Sequence, residues 1–131
     1  MRERLPTDRA FVLLDDARAD GAGARLFSGH AEIVETRRID EVEACLDRLA
    51  GLLEQGRHVA GFLGYEAGFA FEAKLATLKD EPDADAPPLL WFGAFDGVEP
   101  VAGDDLAALL GDADGAWAGA PRPDIEASAY R

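Results

Sequence analysis

The stretch "HVAGFLGYEAGFAFE", residues 58–72, decides how this chain is read. From His58 to Tyr65 it is almost wholly apolar, which predicts a central strand covered on both faces. Gly61 and Gly64 weaken a strand unless another backbone comes close, so they predict crowding at this point. The stretch holds no Cys or Ser, and its only His stands at the start. From these residues, a catalytic loop, a phosphate cradle and the floor of a pocket whose other wall lies elsewhere all stay open. The segment from Glu66 that follows is expected to be a short helix or an irregular turn.

Working outward, the clearest periodicity lies just upstream. Val42, Cys45, Leu46, Leu49, Leu52 and Leu53 recur at helical spacing. They predict one long amphipathic helix over about 40–55. Asp40 with Glu43 is expected to cap its start and Gly56 to stop it in the left-handed conformation. Further back, "RAFVLLDD" predicts a short buried strand ending on two aspartates, and "ADGAGA" at 19–24 a glycine-rich turn. "RLFSG" and "AEIVETR" are expected to be two strands joined by a tight hairpin at Gly29 and His30. Downstream, "KDEPDADAPP" at 79–88 predicts a polar loop. "LLWFGAFDGV" predicts a buried strand ending in an Asp-Gly turn. "GDDLAALLGD" predicts a short helix capped by Asp104 or Asp105, and "GAWAGAPRP" a loop or edge strand. In "RPDIEASAYR", Pro123 with Asp124 and Glu126 looks like a helix start, and the segment predicts that the chain is part of a longer protein. The fold class expected is α+β: a mainly antiparallel β-sheet with helix 40–55 packed on one face, in a single domain over 1–131.

Composition bounds the function. The chain has 131 residues and is 48% hydrophobic, enough for a packed core. It carries 26 acidic against 13 basic residues, a net charge of -13. Such a surface repels phosphate backbones and anionic membranes, so neither nucleic acid nor a membrane is an expected partner. Cys45, the one cysteine, falls on the apolar face of the predicted helix and reads as a structural thiol. The N-terminus has no signal-peptide pattern, and cytoplasmic localisation is expected.

No chemistry-bearing motif is complete. Gly61, Gly64 and Gly68 do not have dinucleotide-binding spacing, and no P-loop is present. His30 and His58 lack the partners a metal ligand needs. Ser28 and Ser128 have no assigned base. Asp15 and Asp16 are strand neighbours and so point to opposite faces. Glu66, at the end of an apolar strand, is the carboxylate best placed for a pocket mouth or an interdomain hydrogen bond, with a solvated or ion-paired Glu66 as the plain alternative. No catalytic residue and no metal ligand is assigned from the residues.

Four stretches in order, "FVLLDDAR", "GRHVAGFLGYEAGFAFE", "PPLLWFGAFDGVEP" and "PRPDIEASAYR", span nearly the whole chain. Together they resemble the N-terminal region of aminodeoxychorismate synthase component I, in the chorismate-binding enzyme family that includes anthranilate synthase component I. The resemblance implies a parent enzyme that aminates chorismate to 4-amino-4-deoxychorismate, on the way to 4-aminobenzoate and folate. It implies a glutamine amidotransferase subunit as the ammonia source. It also implies Mg2+ bound in a C-terminal chorismate-binding domain that holds the catalytic residues. This chain would then be half of a larger two-sheet core, without a cofactor of its own and inactive alone. Its exposed apolar surface, around "LLWFGAF" or 59–65, would favour self-association.

In relatives, a "LLES" motif and the "GY" strand form one wall of a buried pocket that binds tryptophan in anthranilate synthases. The matching effector-pocket candidates here are Leu14, Asp15, Asp16, Tyr65 and Glu66. Asp15 stands where the glutamate would be and is one methylene shorter, and Asp16 stands where the serine would be. That departure favours a structural pocket over tryptophan regulation. Two other readings stay open: the N-terminal regulatory domain of an anthranilate synthase component I, and a free-standing small-ligand binding or interaction module.

Overall fold

Two long antiparallel strands carry the molecule. The structure is a computed structural model that describes residues 5–6, 8–18, 20–72, 74, 86–111, 115, 117–120 and 128–129. Strands β1 (Val12–Leu14), β2 (Ala24–Thr36), β3 (His58–Leu63) and β4 (Leu90–Val101) form one curled antiparallel sheet in the order β1-β2-β4-β3. The α+β class with an antiparallel sheet is what forms.

The hairpin expected at Gly29 and His30 does not form. β2 runs straight through as thirteen residues, and a bulge sits at that point: Ser28 pairs with Gly97, and the next pair is Ala31 with Phe95. Two β2 residues thus oppose Asp96 alone. Gly29 takes φ +102°, which only glycine adopts readily. The Asp-Gly turn expected at the end of β4 is absent for the same reason. β4 continues past Asp96 and Gly97 to Val101 because β2 supplies a partner along its whole length.

The bulge is held from outside the two strands. Arg57, where the chain enters β3, places Nη1 2.8 Å from Asp96 Oδ1. Its Nη2 donates to the carbonyl oxygens of His30 at 2.8 Å and Ala94 at 2.6 Å. The other Asp96 oxygen accepts from the His30 backbone N–H at 3.2 Å. The extra residue changes which face β2 offers. Before it, Leu26 and Ser28 lie level with Glu99 and Gly97, on the Phe95 side of β4. After it, Val34 and Thr36 lie level with Phe92 and Leu90, on the opposite side.

That second side receives the helix. The one long helix expected over about 40–55 is shorter as found. A 3-10 turn, Ile39–Glu41, takes the place of its first residues, and the α-helix proper, α1 (Val42–Glu54), has thirteen residues. The expected cap is not made. Arg38 binds the Asp40 carboxylate at 2.6 Å, and Glu41, which holds the cap position of α1, makes no side-chain cap bond. Instead the Thr36 hydroxyl donates to Glu41 at 2.6 Å, tying the end of β2 to the turn. The stop at Gly56 forms as expected, with φ +80° and paired bonds from Gly56 N–H to Leu53 and Arg57 N–H to Leu52. Leu49 and Leu52 pack on Val34, Leu90 and Ala94, with Cys45, Leu46, Val59 and Phe92 around them. Val42 joins Ala67 and Leu89 in a second cluster. Burial pushes the Cys45 thiol pKa up, with Glu41's charge adding to it, as suits a structural thiol.

β3 is an edge strand and not the central strand its apolar run suggested. Among the described residues it pairs only with β4, and β4 holds the inner place, with Gly93, Ala94 and Phe95 all buried. After β3 a 3-10 stretch, Tyr65–Phe71, takes the place of the short helix or irregular turn. A second helix, α2 (Gly103–Leu110), follows β4. Asp104 and Asp105 sit in its first turn and Ala102 occupies the cap position, with no side-chain cap bond. Residues 117–120 are irregular. The expected helix start at Pro123 and the 79–85 part of the polar loop lie outside the described residues.

Two tests follow from the packing. Arg57→Ala removes an ion pair and two charge-assisted bonds and is expected to destabilise by about 2–3 kcal/mol in urea unfolding. A Cβ on Gly61 would run into the Trp91 carbonyl and the Phe92 backbone, whereas one on Gly51 in α1 meets nothing. Gly61→Ala is therefore expected to cost about 1–3 kcal/mol, and Gly51→Ala to stabilise by up to about 1 kcal/mol.

Candidate functional site

The five effector-pocket candidates fall into two groups. Leu14 ends β1, and Asp15 and Asp16 follow it. Tyr65 and Glu66 follow β3. β1 and β3 are the two opposite edges of the sheet. Leu14 lies level with Arg25, which pairs with Pro100, whereas Leu63 lies level with Leu90. Pro100 and Leu90 stand at opposite ends of β4, about 30 Å apart if the strand were straight. The sheet register does not bring the two groups together.

Each group has its own chemistry. Asp16 organises the turn after β1. Its carboxylate accepts both Arg18 Nε at 2.7 Å and Nη2 at 2.6 Å, and the Ala22 N–H at 3.1 Å. Gly21 lies so close that a Cβ there would meet the Asp16 carbonyl and carboxyl. The Arg18 guanidinium, helped by the Ala22 amide, lowers the Asp16 pKa to about 2. The carboxylate is thus directed into its own loop. Leu14 and Asp15 are exposed.

Tyr65 is 91% exposed and Glu66 is exposed, so neither lines a closed pocket among the described residues. They adjoin an open apolar surface. Phe62 and Leu63 are 44% and 50% exposed, and Phe62 stacks on Trp91 with ring centroids 6.3 Å apart. Ile33 lies on the same side of the sheet as Phe62 and Trp91 and is also exposed.

The concave site with the most chemistry lies elsewhere. A surface groove of about 410 Å3 separates the C-terminal half of β2 from α1. Arg48 on α1 reaches across it to Glu32 on β2 with two bonds of 2.8 Å. The guanidinium lowers the Glu32 pKa. Sequence reading missed this groove because the Glu32–Arg48 pair joins a strand to a helix at no regular spacing.

Among the described residues no group of three or more His, Cys, Asp or Glu side chains could hold a metal ion. No helix there is long and apolar enough to cross a membrane. No family model, no curated protein and no solved structure matches the chain.

The Asp16 pair has a pH signature. A carboxyl with a depressed folded pKa adds stability above its unfolded value of 3.8, lost as pH falls through about 2. Its side-chain carbon resonance is expected to titrate near 2, and Arg18→Ala to move the midpoint up toward 3.8.

Proposed function

We propose that this chain is the N-terminal, non-catalytic domain of an aminodeoxychorismate synthase component I. In this reading the parent enzyme aminates chorismate to 4-amino-4-deoxychorismate, and a C-terminal chorismate-binding domain carries the magnesium and the reacting groups. A glutamine amidotransferase subunit supplies the ammonia. The chain's own part is to complete the core of that domain: half of a two-sheet interior, with β3 and the Phe62–Trp91 surface facing the other half.

One observation supports this reading above the rest. β3 has no polar side chain from Val59 to Leu63, yet it stands at a sheet edge with Phe62 and Leu63 open to solvent. A long apolar edge is an aggregation hazard that proteins normally cover. The four stretches that resemble the synthase include this strand and β4 beside it. Tyr65 and Glu66 then belong to that contact, and Asp16 to its own turn, so no tryptophan pocket is part of the proposal.

Supplied with chorismate, ammonia and Mg2+, the purified chain is expected to form no 4-amino-4-deoxychorismate. Added to a separately expressed chorismate-binding domain of such a synthase, it is expected to bind and raise that domain's thermal midpoint. Phe62→Lys with Leu63→Lys should abolish the effect. By itself the chain should scatter light as a species heavier than its 14.0 kDa monomer. Turnover by the chain alone, or a chorismate-binding domain indifferent to it, would sink the reading.

A further inference from the structure

We draw no further inference here: the strongest candidate, the open edge of β2 over residues 31–36 beside the groove against α1, has Glu32 already paired with Arg48 and Glu41 with Arg38, and nothing in the structure shows what covers it.

Discussion

The Asp96–Arg57 pair at the β2 bulge is the contact on which the architecture depends. An antiparallel strand of thirteen residues would otherwise keep its even-numbered side chains on one face from end to end. With one residue extra at Gly29 and His30, Leu26 and Ser28 are buried on one side of the sheet, and Val34 and Thr36 on the other. α1 has a face to pack on only because of that exchange. A bulge leaves backbone groups without ladder partners, and here charged side chains satisfy them: Asp96 takes the His30 N–H and Arg57 the His30 carbonyl. Arg57 Nε is buried with no partner among the described residues, a local cost the clamp tolerates.

The same geometry sets what the molecule leaves open. Short β1 covers only part of β2, and nothing described covers the outer side of β3. The two exposed edges differ in chemistry. The β3 edge is apolar, with Phe62 and Leu63 open, while the β2 edge lies beside α1 and carries the Glu32–Arg48 pair.

Much of the fold was legible in the residues, for reasons of period. α1 was readable from apolar spacing and Gly56, since a helix and its stop are local matters. Its length was overread, because Asp40 met Arg38 and did not cap the helix. β3 was recognised as a strand but misplaced in the sheet: an apolar run reports how much surface wants cover, not whether the cover is in hand. Gly29-His30 and Asp96-Gly97 each carry ordinary turn signals. They became a bulge and a straight strand because each lies opposite the other, a pairing across about 70 positions of chain. The pocket candidates were read one motif at a time, and the strand order then put Asp16 and Tyr65 at opposite corners.

By itself the sequence determined composition, charge, the helix, the presence of the strands and the lack of a complete catalytic motif, because these depend on residue type and near neighbours. The tertiary structure alone decided strand order, the exchange of faces at the bulge, the two open edges and the Glu32–Arg48 groove. Those features arise where backbone hydrogen bonds and charges distant in the chain meet, and no local period records which distant segment will supply the partner.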